Sequence, residues 1–149
     1  MRSSALIIGS VVALYSSTAL AQHSAGSTDH ALPAGFETTP VIKTGKTRDG
    51  DTMQFPKTDK PEIVSVIGTI QPGGRTPLHQ HPIPVYVYVM EGEVELQTEG
   101  AQPHNYKTGE AYIESLNRNH QLLNKGSSPA RVLVVFIGEE GRPTTIAAK

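Results

Sequence analysis

No window of a dozen residues in this chain carries apolar side chains at a 3.6-residue period, so little of it can be helix. It carries instead one short β-branched run after another, each closed by a turn. "EIVSVIGTI" (62–70) ends at "QPGG", "VYVYVM" (85–90) reverses through "EGE" into "VELQT", and "EGAQP" (99–103) turns the chain again. "NYKTGEAYIES" holds two extended pieces around Gly109, "HQLLN" adds another, and "ARVLVVFIG" (130–138) closes the series after "KGSSP". Ahead of them, "PVIKTG" and "TMQFP" read as extended segments on either side of the turn "TRDGD". Short strands at this even spacing predict an all-β barrel or sandwich. Val85, Val87 and Val89 would fill its interior, leaving Tyr86, Tyr88 and Met90 to pack on a second sheet or on the partner subunit of a homodimer.

The first 21 residues stand apart. Arg2 precedes the apolar segment "ALIIGSVVAL" (5–14), and "ALA" (19–21) offers small residues for cleavage before Gln22. Ten apolar residues are about half of the roughly 20 that span a bilayer. Residues 1–21 therefore read as a signal peptide, with the mature protein periplasmic or secreted and no membrane segment left after cleavage. Residues 22–39, rich in Ser, Thr, Ala, Gly and Pro, read as a flexible leader in which His23 and His30 are solvated, and 40–149 as a single domain.

Without residues 1–21 the chain has 12 basic and 14 acidic side chains, with no block of either sign. That balance argues against nucleic acid and anionic membrane as partners. Small exported domains commonly rely on disulfides, yet this chain has no cysteine, so its stability must come from a hydrophobic core, supplemented or not by a metal.

The polar residues that carry chemistry begin at "LHQHP". In an extended strand residues i and i+2 share a face, so His79 and His81 can point together and reach one cation. His120 lies 39 residues beyond His81 at the start of another apolar piece, and could supply a third imidazole.

Around these histidines the chain resembles the cupins. Their first motif is Gly, five residues, His-x-His, three or four residues, Glu, six residues, Gly, and here those places hold Gly73, His79, His81, Val85 and Gly92. Their second, Gly, five residues, Pro-x-Gly, two residues, His, three residues, Asn, falls on Gly109, Ser115, Asn117, His120 and Asn124. The resemblance spans residues 62–138. It implies a double-stranded β-helix barrel, jelly-roll-like and with little helix, holding one divalent metal ion through His79, His81 and His120. Two departures matter: Val85 stands where the motif has Glu, and Ser115 and Asn117 stand where it has Pro and Gly. Either the site is three-histidine with water in the open positions, or another carboxylate substitutes.

Glu114 is the candidate substitute, as ligand, as partner of a ligating histidine or as general base. In a strand it would share a face with Tyr112, opposite Ala111, Ile113 and Ser115, and a carboxylate among apolar neighbours needs a cation or a paired charge. The alternative is a surface Glu114 paired with Arg118. Imidazole accepts Fe, Mn, Zn, Ni or Cu. Arg75 and Arg118 flank the histidines and are candidate contacts for an anionic substrate, against plain surface placement. Gly73, Gly92 and Gly109 are expected at turns, Asn124 as a backbone cap, and His104 on the surface. Two functions follow from the resemblance: a metal-dependent enzyme, dioxygenase-like by similarity to quercetin-type dioxygenases, acting on a small organic molecule; or a non-catalytic small-ligand-binding module with a structural metal.

Overall fold

A computed structural model describes residues 34–148. Residues 1–21, expected to be a signal peptide, and His23 and His30 in the expected leader lie outside the described residues. The chain divides into a unit ending at Glu37 and a unit beginning at Thr38, and every element below belongs to the second.

The described residues contain no helix. Nine strands run in chain order: β1 (Pro61–Ile70), β2 (His79–Gln80), β3 (Val85–Glu91), β4 (Glu93–Thr98), β5 (His104–Lys107), β6 (Ala111–Ile113), β7 (His120–Leu123), β8 (Ala130–Glu139) and β9 (Ile146–Ala147). They form two antiparallel sheets, ordered β1-β8-β3-β6 and β5-β4-β7-β2-β9. The all-β architecture expected from the strand pattern is the one found, as a two-sheet sandwich consistent with the jelly-roll that the resemblance implies. Two elements escaped the pattern, β2 and β9, because a two-residue strand has no period to read.

Alternation decides what lies between the sheets. Val85, Val87 and Val89 are fully buried while Tyr86 and Tyr88 on the opposite face are half-buried, and Val94 and Leu96 alternate with half-buried Glu95 and Gln97. These side chains join Val132, Leu122, Tyr106 and Tyr112 in one core contributed by both sheets. Burying each valine is worth roughly 1.5–3 kcal/mol. β1, the most β-branched run, is an edge strand instead, and its Ile63 is 69% exposed.

Turn chemistry closes the strands where expected. Gly73, Gly92 and Gly109 all have positive φ. At Gly92 (φ 77) a Cβ would sit 3.1 Å from the Cα of Ala130, so the β3–β4 reversal demands glycine on both counts. Buried Asn124 donates through Nδ2 to the carbonyls of Ile70 and Ser128, both at 2.8 Å, and its Oδ1 accepts the Gly126 N–H at 2.9 Å. "TRDGD" folds back on itself through a Lys46–Thr52 bridge, and the Arg48 N–H docks it on the Ile113 carbonyl at 2.8 Å.

Candidate metal centre

β2 is held to β7 through one registered pair, His79 opposite His120. Antiparallel partners project to the same face, so that pair brings together two histidines far apart in sequence. His81, two residues beyond His79, projects the same way. The ring centroids lie 4.6–5.0 Å from one another, and the ligating atoms of all three rings fall within 4.8 Å. His81 and His120 are buried and His79 is partly so.

The hydrogen bonds of the rings determine what they offer. Each Nδ1 faces a backbone carbonyl: Pro77 for His79 at 2.7 Å, Thr144 for His81 at 2.7 Å, Arg118 for His120 at 2.9 Å. A carbonyl only accepts, so each Nδ1 carries the proton and each Nε2 presents a lone pair. These lone pairs converge. Nε2 of His79 is 3.1 Å from Nε2 of His81, and Oε2 of Glu114 is 3.1 Å from Nε2 of His81 and 3.4 Å from Nε2 of His120. Neither Glu114 Oε2 nor His120 Nε2 has a hydrogen-bond partner.

Three imidazole Nε2 atoms converge, and the Glu114 carboxylate adjoins those of His81 and His120; with every Nδ1 proton turned outward to a carbonyl, neutral rings leave this cluster of electron-pair donors uncompensated unless a cation sits there. Metal–nitrogen distances of about 2.0–2.1 Å put neighbouring ligand atoms roughly 3.0–3.4 Å apart in octahedral or tetrahedral shells. The separations of His81 from His79 and from Glu114, and of Glu114 from His120, match this range, and the three rings lie close enough together to share a divalent ion.

Glu114 follows β6, and its N–H donates to the Val85 carbonyl at 2.9 Å, extending by one pair the register that sets Tyr86 against Ile113. Its side chain turns inward with that of Tyr112 and is 4% exposed. Arg118 pairs instead with Asp49 and Asp51, at 3.9 and 3.6 Å. Val85, at the motif's glutamate position, packs in the core, and the carboxylate arrives from the adjacent strand. Burial pushes the Glu114 carboxyl up, but His120 and His81 outweigh it and hold the pKa down at about 2. Burial also opposes protonation of His120, yet the facing Glu114 raises its pKa, whereas burial lowers that of His79.

The turn between β6 and β7 adapts to its altered residues. Asn117 has φ 54, the left-handed conformation asparagine tolerates best among residues with a side chain, and its N–H donates to the His81 carbonyl at 2.8 Å. The buried Ser115 hydroxyl donates to Asp49, which Arg48 holds at 3.2 Å.

His79, His81 and Glu114 open into a cavity of about 450 Å³ walled by Val66, Ile70, Val132, Val134 and Phe136, with Arg75 and Thr145 also lining it. Phe136 meets the His81 ring edge-on at 5.4 Å. A larger cavity of about 540 Å³, between Phe55, Ile83, Leu116 and Arg142, contains none of the converging groups. Tyr86 and Tyr88 do not line the histidine cavity, and exposed His104 leans on Tyr106 at 4.5 Å. Sequence reasoning missed the Thr144 carbonyl, Phe136 and Asp49. A carbonyl has no sequence signal, and Asp49 lies in a segment legible only as a turn.

Residues 66–136 match the model of the cupin domain family. No curated protein matches the chain. Among solved structures it is similar to DMSP lyase DddQ from Ruegeria pomeroyi DSS-3, with 21% identity over 58% of this chain and 43% of that one and a TM-score of 0.51. It is also similar to oxalate decarboxylase from Bacillus subtilis, a protein described with Mn(II) centres, with 22% identity over 57% of this chain and 23% of that one and a TM-score of 0.50. The chain thus spans less than half the length of either, and the likeness shows a shared fold.

Proposed function

We propose, on the premise that the chain belongs to the cupin superfamily, that it is a metal-dependent enzyme acting on a small organic molecule, with His79, His81, His120 and Glu114 as the ligand set. One observation carries this reading: three imidazole nitrogens, their Nδ1 protons turned outward to carbonyls, converge beside the Glu114 carboxylate where His79, His81 and Glu114 line an open cavity.

A bound divalent ion would supply Lewis acidity, an activated water or redox capacity. The chain does the rest. The carbonyls of Pro77, Thr144 and Arg118 lock ring orientation and tautomer, which keeps Nε2 available. Glu114, held ionised, balances part of the cation's charge. The apolar wall from Val66 to Phe136 keeps water off the body of a bound molecule. Cavity access favours catalysis over a closed structural site. Among Fe, Mn, Zn, Ni and Cu, the Mn(II) centres of oxalate decarboxylase make manganese the first ion to test, and a redox-active ion would serve dioxygenase-like chemistry.

Elemental analysis of untagged mature protein tests the reading, followed by oxygen uptake with phenolic and aliphatic acids. About one ion per chain with turnover supports it; a tightly held ion without turnover of any compound favours the non-catalytic ligand-binding module. Export with cleavage before Gln22, and pairing of two copies through the face bearing Tyr86 and Tyr88, belong to the same proposal. N-terminal sequencing and light scattering check them.

A further inference from the structure

Gly68 lies inside the ten-residue strand β1, opposite Val132 of β8. A glycine inside a strand weakens it, through extra chain entropy and lost packing, and is kept where the backbone or a neighbour requires it. The protein itself does not require this one. Its φ is not positive. The β1–β8 ladder runs from Pro61–Glu139 to Ile70–Ala130 without a register shift, so Gly68 makes no bulge. Among the described residues a Cβ on Gly68 would meet only Cγ2 of Val132, at 3.4 Å, an ordinary van der Waals contact. Gly138 on β8 differs, because there a Cβ would lie 3.0 Å from Cδ1 of Ile83.

The missing side chain faces the histidine cavity. Val64, Val66, Gly68 and Ile70 alternate onto the face whose registered partners on β8 are Phe136, Val134, Val132 and Ala130. Buried Val85, Val87 and Val89 of β3 pair with Phe136, Val134 and Val132 from the other side, which makes this the interior face. Gly68 and its neighbours Val66, Ile70 and Val132 line the same cavity of about 450 Å³ as His79, His81 and Glu114. Gly68 therefore leaves a notch in the apolar wall, between Val66 and Ile70.

We infer that this notch receives the flat face of the substrate, that Gly68 is a specificity-determining residue, and that the substrates are uncharged molecules of one or two rings bearing an oxygen. The oxygen rests on the metal-site reading, since a bound cation would meet it. A strand backbone bare of a side chain lets a ring approach closely. Val66, Ile70, Val132, Val134 and Phe136 around it offer no hydrogen-bonding side chain, so a charged group set against them loses its hydration without a partner. An apolar cavity of about 150 Å³ already holds benzene, so about 450 Å³ accommodates two rings.

The test uses the mature protein loaded with Zn²⁺, which is redox-inert, so that binding is read without turnover. Calorimetric titration compares 2-naphthol, phenol and the charged 2-naphthoate. 2-Naphthol should bind the parent more tightly than either. Gly68→Val fills the notch and should weaken 2-naphthol at least about tenfold, with Gly68→Ala intermediate and phenol less affected in both. Ser65→Val, on the outer face of the same strand, should bind as the parent does, and zinc stoichiometry should be the same in all. The melting temperatures of Gly68→Ala and Gly68→Val should equal or exceed the parent's. A clear fall in melting temperature for Gly68→Ala makes the glycine a requirement of the fold and overturns the inference. Equal 2-naphthol affinity in the parent and Gly68→Val, no 2-naphthol binding to the parent, or tighter binding of 2-naphthoate overturns it too. If the parent binds no metal, the metal-site reading falls by itself; 2-naphthol binding that still depends on residue 68 then leaves the notch standing.

Discussion

His79 and His120 occupy the only registered pair between β2 and β7, so the contact that joins these strands is also the one that assembles the histidine cluster. A one-residue slip would turn one ring to the opposite face and dissolve the cluster. β2 is only two residues long and is held on its other side by β9, through His79–Ala147 and Gln80–Ile146. The geometry of the site therefore depends on small pieces of sheet pinned from both flanks.

Removing His120 deletes a lone pair and the ring that faces Glu114. His120→Ala should reduce metal affinity by more than about 100-fold, since losing even an outer partner of a ligand costs 10–100-fold. Metal content after dialysis reads this directly; full occupancy in the variant would remove the histidine cluster as the site.

Glu114→Gln keeps shape and burial but removes the negative charge. Metal affinity should fall roughly 10–100-fold with the circular dichroism spectrum unchanged. A variant that binds metal as the parent does would return Glu114 to a purely structural role.

How much of this was legible in the sequence follows from the size of each signal. The long strands were legible because β-branched runs between glycine-bearing turns can do little else, and β3 alternates as its valines and tyrosines require. His79 and His81 could be placed on one face from their spacing, and the two motif spacings joined them to His120. Alternation put Glu114 on the face of Tyr112 but left open whether that face was inward or paired with Arg118 at the surface; its position beside Val85 depends on strand pairing, which no local pattern encodes. The exposure of β1 was illegible for the same reason: an edge strand and a central one read alike. β2, β9 and the carbonyls that orient the rings carry no side-chain signature at all.

Acid should act on the metal-free protein through Glu114. Its pKa in the folded chain is held at about 2, below the ~4.3 of a free glutamate. A depressed carboxyl stabilises the fold above its unfolded pKa, and the contribution disappears as pH falls from there through the folded value. The Tm difference between parent and Glu114→Gln, measured without metal, should be largest above about pH 5 and shrink from about pH 4.3 toward 2. A difference independent of pH would separate Glu114 from the ionised cluster.

The C-terminal segment should matter to the metal although it supplies no ligand. The Thr144 carbonyl accepts from His81 Nδ1 at 2.7 Å, Thr145 Oγ1 lies 3.3 Å from the same nitrogen, and the Ala148 N–H donates to Leu78 at 3.1 Å. Ending the chain at Pro143 should lower metal affinity about 10–100-fold while the sandwich stays folded, because its core residues all precede that point. Calorimetric metal titration of the shortened chain checks it; unchanged affinity would show that the His81 ring needs no such anchor.

Val85 and Glu114 test whether the site needs a carboxylate at one place in the sequence or at one place in space. Their backbones are joined by a hydrogen bond of 2.9 Å, and both side chains face the interior. Directly opposed residues in antiparallel strands hold their Cβ atoms about 4.5–5.5 Å apart, within the reach of a glutamate side chain. Val85→Glu alone buries a second carboxylate beside the first and should destabilise the metal-free fold by roughly 3 kcal/mol or more. Exchanging the two, Val85→Glu with Glu114→Val, leaves one carboxylate and one branched apolar group on the same face. The exchanged protein should unfold closer to the parent temperature than Val85→Glu does, and bind metal more tightly than Glu114→Val. Failure of the exchange to recover either property would mean that the path of β6, rather than the presence of a carboxylate beside His81 and His120, is what the site requires.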